Sequence, residues 1–255
     1  MTTLEATALL LMFAMLRYAP LLAIPAFSSV AWAPPMIRMV LLMAVAWLTV
    51  IAAPSLTPMP YWSDGGGLLL ACSSELLIGM TFGLAIMLPQ AGIGMAASVA
   101  DMQAGLSAAS LLDPGGQHEP ETLLGSLLLL AAVVLFFTLN LHVQLFHLMA
   151  ESLRVLPLGA VGLRLDPEAF MAMVGSSFLL GLMVVAPLMI GLFAVDLAVA
   201  YATRSMPQAN VYFLALPLKI AAALLLLAAT LAYVPALIER VFQDALARLP
   251  SVFGA

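Results

Sequence analysis

The 255-residue chain is 64% hydrophobic and only 8% charged, with a formal net charge of −5. Soluble domains carry about 25% charged residues, so a water-soluble fold would expose large apolar patches and aggregate; the composition specifies a membrane-embedded protein. The acidic balance offers no basic patch for nucleic acid, and the single cysteine, Cys72, excludes an intramolecular disulfide.

Six long apolar stretches predict an all-α, polytopic membrane protein, a single integral-membrane domain over residues 1–255. They cover about 4–27, 36–53, 67–100, 122–150, 168–201 and 211–238. The first lacks a basic leader, since Glu5 precedes the first positive charge at Arg17. It therefore reads as a retained span and not as a cleaved signal. The second barely reaches the ~20 residues a perpendicular crossing needs. The third and fifth far exceed that length, and each carries an internal proline, Pro89 and Pro187. Each is either a bent helix or a hairpin of two shorter helices.

The connectors are short and rich in turn residues: Pro34-Pro35, then Pro54, Pro58 and Pro60 with the run Gly65-Gly66-Gly67, Asp113-Pro114-Gly115-Gly116, Pro157 with Asp166-Pro167, and Ser205-Met206-Pro207. None is large enough for a soluble domain. With six spans, Arg154, Arg164, Arg240 and Arg248 lie on the side of the termini, and Arg38 and Arg204 lie opposite. That bias favours cytoplasmic termini.

Along the third stretch Ala71, Glu75, Gly79 and Gly83 recur every four residues. They share one helix face and predict a close helix–helix seam, within the chain or between subunits. A second ladder, Gly92, Ala96, Ala100, Ala104 and Ala108, follows. Glu75 on such a seam must be paired or hydrated. Asp101 and Gln103 end the segment, either as a polar helix end or as the lining of a pathway.

No Lys or Arg occurs between Met39 and Leu153, while seven acids do. Water, the ends of the chain or another chain must supply their partners, and the expectation is mostly another chain. His142 and His147 lie five residues apart, on different helix faces, so they do not form the i, i+4 pair of a zinc helix. His142 beside Asn140 reads as a polar contact between helices. Asp196, Arg204 and Lys219 are the remaining costly charges. Neither a catalytic constellation nor metal-ligand spacing is present, which argues against an enzyme.

The order of these marks resembles the family of flagellar biosynthetic protein FliR and its injectisome counterparts, the export-gate subunits of type III secretion. Arg17 with Pro20 and Pro25 is similar to the family's opening helix, and Arg38 follows its first loop. Glu75 to Gly79 matches an E-x-x-x-G stretch. Asp101 to Ser107 resembles a D-x-Q-x-G segment, followed by Asp113-Pro114. Asn140-Leu141-His142 stands where N-G-H is usual. Glu151-Ser152 and Pro157-Leu158-Gly159 resemble S…P-x-G. Arg204 to Val211, with Gln208 and Asn210, and Pro217-Leu218-Lys219-Ile220 resemble R-x-x-P-Q-x-N-V and P-x-K-I.

The resemblance implies a non-enzymatic subunit without cofactor, in the bacterial inner membrane at the flagellar basal body. It would assemble with FliP-like, FliQ-like and FlhB-like membrane subunits around a passage for unfolded proteins. It implies a pore plug at 105–117. Gly105, Ser107 and the Asp113-Pro114 turn suit a moving loop, and Leu106, Leu111 and Leu112 suit a seal that blocks ions by dewetting. Glu75, Asp101, Gln103, Asn140, His142, Arg204, Gln208, Asn210 and Lys219 would serve a polar pathway or subunit contacts. Gly79, Gly83, Pro89 and Pro187 would serve helix packing. The alternative is a stand-alone secondary transporter, motivated by helices broken at Pro89 and Pro187.

Overall fold

A computed structural model of the chain describes residues 3–24, 33–52, 65–106, 123–163, 165–205 and 211–254. These form eight helices and no strand among the described residues: α1 (Thr3–Leu22), α2 (Pro35–Ala52), α3 (Gly65–Ala104), α4 (Leu123–Thr138), α5 (Leu141–Val155), α6 (Pro167–Ser205), α7 (Val211–Thr230) and α8 (Val234–Val252). Four helical stretches, Leu4–Leu22, Pro35–Ala52, Gly65–Ala104 and Pro167–Ser205, are long and apolar enough to cross a membrane. Two broken pairs, α4 with α5 and α7 with α8, raise the number to as many as six.

Of the two alternatives at the internal prolines, the structure adopts the continuous helix. Pro89 is buried inside the 40-residue α3, and Pro187 is exposed inside the 39-residue α6. The motivation for a broken-helix transporter is thereby lost at both positions. The breaks fall elsewhere. Asn140 takes a left-handed backbone (φ 57, ψ 25) between α4 and α5, and residues 231–233 turn the chain by 71° between α7 and α8. Neither turn contains proline or glycine.

The chain folds into two compact units. The first holds Met1–Met87, Asn140–Met173 and Ala245–Ala255. In it α1 buries Phe13, Ala14, Arg17, Tyr18 and Leu21. Helix α2 buries only Arg38, Leu42, Ala46 and Thr49, a stripe at four- and three-residue spacing on one face. Thr49 donates a hydrogen bond to Tyr18 at 3.0 Å. The other faces of α2 expose Met36, Met43, Trp47, Leu48 and Ile51, among others. A helix apolar all round requires hydrocarbon, from lipid or from a neighbour.

The second unit holds Leu88–Leu139 and Val174–Asp244. Here α3 and α6 run against one another through glycine. A Cβ on Gly92 would lie 2.6 Å from the Ser177 carbonyl oxygen, and one on Gly181 would lie 2.5 Å from the carbonyl carbon of Gly92. Helix α8 is amphipathic. Its part in this unit buries Val234, Ile238, Val241 and Phe242 and exposes Arg240 and Gln243, and its part in the first unit buries Ala245, Leu246, Leu249 and Val252.

Candidate functional site

The first unit is organised around two fully buried opposite charges. Arg17 on α1 donates from Nε to Oε2 of Glu75 on α3 at 2.5 Å, and from Nη2 to Oε1 at 3.0 Å. Neither side chain has any exposed surface. Desolvating two charges is costly and is offset only when their remaining polar atoms are satisfied. Here they are. Nη2 also donates to the Leu156 carbonyl at 2.9 Å, and Nη1 to Ser152 Oγ at 3.4 Å. The Gly159 N–H donates to Glu75 Oε1 at 2.7 Å. Ser152 passes its own hydrogen to the Met149 carbonyl. The network thus ties α1, α3, α5 and the turn after α5 into one polar knot. Gly159 has φ 75, a backbone that side-chain-bearing residues rarely adopt. Nearby, Ser74 fixes the same turn by donating to the Ala160 carbonyl at 2.7 Å.

The Ala71–Glu75–Gly79–Gly83 face is buried throughout. A Cβ on Gly79 would stand 2.2 Å from the Arg17 carbonyl oxygen and 3.0 Å from Pro20 Cδ. The glycine therefore lets α1 approach α3 closely enough for the Arg17 fork to reach Glu75. The predicted seam is intramolecular here.

In the second unit, Asp101 is also fully buried, and among the described residues no cation pairs with it. Its carboxylate accepts from the N–H of Leu124 at 3.1 Å and of Gly125 at 3.2 Å, at the start of α4. A carboxylate is favourable at a helix N-terminus, where unsatisfied N–H groups gather. Asp101 thus acts as a cap supplied to α4 from a different helix. Its backbone also helps to end α3. Leu106 N–H donates to the Asp101 carbonyl at 3.1 Å and Gly105 N–H to the Met102 carbonyl at 3.2 Å, with Gly105 at φ 78. That pair of bonds is a Schellman stop.

The remaining marks scatter. Gln103 donates to the Met189 carbonyl at 3.3 Å. Lys219 on α7 forms an ion pair with Asp196 on α6, both partly exposed. Arg204 and Asn140 are exposed, and His142 is half-buried in the first turn of α5. Ser107, Leu111, Leu112, Asp113, Pro114, Gln208 and Asn210 lie outside the described residues.

The expectation that the acids between Met39 and Leu153 take their partners mostly from another chain is therefore corrected for Glu75 and Asp101, and Asp196, outside that interval, also finds its partner within the chain. Arg17, two backbone N–H groups and Lys219 of the same chain supply them. The role of Arg17 was the one missed from the pattern of charges. Its signal was present, as the only cation of the first span in a chain with a buried acid in the third. Among the described residues no group of three or more His, Cys, Asp or Glu side chains could hold a metal.

The chain matches the family described as bacterial export proteins, family 1, over residues 8–245. It is 30% identical to flagellar biosynthetic protein FliR of Escherichia coli (strain K12), over 67% of this chain and 65% of that protein. Identity is also 30% to flagellar biosynthetic protein FliR of Pectobacterium carotovorum subsp. carotovorum, over 77% of this chain and 76% of the relative. To Yop proteins translocation protein T of Yersinia pestis it is 28%, over 72% and 71%. The alignment thus spans just under two thirds of the Escherichia coli relative and about three quarters of the Pectobacterium one.

Proposed function

Because this chain belongs to the bacterial export proteins of family 1, we propose that it is a structural subunit of a type III protein export gate in the bacterial inner membrane. It helps to form the passage for unfolded flagellar or effector proteins, beside FliP-like, FliQ-like and FlhB-like membrane subunits, and has no catalytic role of its own. The observation that carries this reading is the family match over 8–245. It is supported by fully buried charges, Arg17, Glu75 and Asp101, that are satisfied internally while large apolar faces on α2 and α6 stay uncovered. Such faces suit a subunit packed among hydrophobic neighbours. The segment 105–117 serves as the plug of the closed passage, and the flagellar basal body is the location its FliR-type relatives favour.

The test is to express a tagged chain together with the other membrane proteins of its export apparatus and to extract it in mild detergent. A hetero-oligomer is expected. A lone monomer that moves a small solute unaided in liposomes would overturn the proposal.

A further inference from the structure

Within the first unit, a cleft of about 110 Å³ opens between the end of α5 and the end of α8. Phe82, Leu249 and Ser152 lie deep in it, Val155 and Pro250 are exposed in its lining, and Phe253 stands 5.7 Å from the Phe82 ring. The one hydroxyl in the lining, Ser152 Oγ, is already committed to the Met149 carbonyl and to Arg17. Apart from Glu151 at its edge, the cleft therefore offers hydrocarbon and no free polar side chain. It is smaller than the roughly 150 Å³ apolar cavity that takes up benzene, so it fits one aliphatic side chain and not a whole helix. Glu151 also lines it. That carboxylate is exposed, and it forms no ion pair among the described residues, even with Arg154 three residues on. The buried Arg17–Glu75 knot reaches this wall through Ser152.

We propose that the cleft is a socket for a membrane helix of another export subunit. That helix inserts one aliphatic side chain between Val155 and Pro250 and places a Lys or Arg within one turn of it, against Glu151. The proposal rests on the export-gate reading and adds a contact surface to it. The apolar knob supplies the buried area, and the opposite charges fix register and orientation, as charge pairs at an interface rim do.

The test uses the full chain in its assembled complex, with Val155 replaced by the photo-reactive p-benzoylphenylalanine. Irradiation is expected to give an adduct that maps to a helix of another subunit carrying Lys or Arg within one turn of the attachment point. Glu151→Lys should lower adduct yield at least tenfold, Glu151→Gln by less, and changing the partner's cation to Glu should restore the yield with Glu151→Lys. Glu151 and Val155 are exposed, so neither change burdens folding. Adducts with lipid alone, a helix without a nearby cation, or a yield indifferent to Glu151→Lys would each overturn the socket. An intact assembly lacking any Val155 adduct removes the socket alone, whereas a wild-type chain isolated free of other subunits removes the export-gate reading and the socket together.

Discussion

At the scale of single residues, the Arg17–Glu75 pair governs the first unit. Removing one member strands the other charge in the core, at a cost of about 3–5 kcal/mol. Arg17→Leu and Glu75→Leu should each abolish accumulation of folded chain, read as loss of the thermal transition in detergent. The double variant should recover part of it, because replacing a buried pair with hydrocarbon is often neutral. A double variant as unstable as the sum of the singles would contradict this coupling. The need for a partner at Glu75 was legible, since a carboxylate on a small-residue seam cannot stand alone. The identity of the partner was not, because 58 residues separate it from Glu75 and no local spacing encodes such a contact. Asp101 carries a parallel prediction. Asp101→Ala should lower stability by about 0.5–2 kcal/mol through loss of the cap. Asp101→Asn keeps an acceptor and should lose less, and equal losses in chemical denaturation would argue against capping.

At the scale of helices, glycine decides which pairs meet. Gly79→Val and Gly92→Val would drive a side chain into the backbone of α1 or α6, since even a Cβ falls within 2.6 Å of a carbonyl oxygen at both sites. Both should lower the melting temperature sharply. Gly175 is the contrast, lying inside α6 with nothing within 4 Å of its would-be Cβ. Gly175→Ala should stabilise by about 0.5–1 kcal/mol, because alanine loses less backbone freedom than glycine in a helix. The ladders along α3 were legible because four-residue spacing maps onto one helix face. The breaks were not. Prolines at 89 and 187 attracted attention, yet a long helix tolerates proline by bending. The chain turns instead at Asn140, whose short amide side chain tolerates the left-handed backbone, and at 231–233, just ahead of Pro235 in the first turn of α8. The run 211–238 also hid the start of α8, whose apolar stripe continues to Val252 at helical period while its overall hydropathy falls.

At the scale of the whole molecule, composition and the order of polar marks made the membrane class and the family legible, and the helical count of four to six spans agrees. The surface was less so. With buried acids such as Glu75 and Asp101 satisfied within the chain, hydrocarbon contact and a few rim charges such as Glu151 would set the proposed assembly. If 105–117 plugs the passage, shortening it should raise the conductance of the assembled complex to small ions in planar bilayers; unchanged conductance would count against the plug. Replacing Asp101 by Ala in the same assembly should also raise leak, since the cap anchors the helix that follows.

The cap at Asp101 has one more consequence. The same residue ends one helix and holds the first amides of the next, so the polypeptide leaves and returns within hydrogen-bonding distance. Ring closure is set by that junction and grows only logarithmically with contour length, roughly 0.6 kcal/mol per doubling. Lengthening the chain between Leu106 and Leu123 should therefore cost little folding free energy, so a loss of gating in such an insertion would report on the proposed plug and not on the fold.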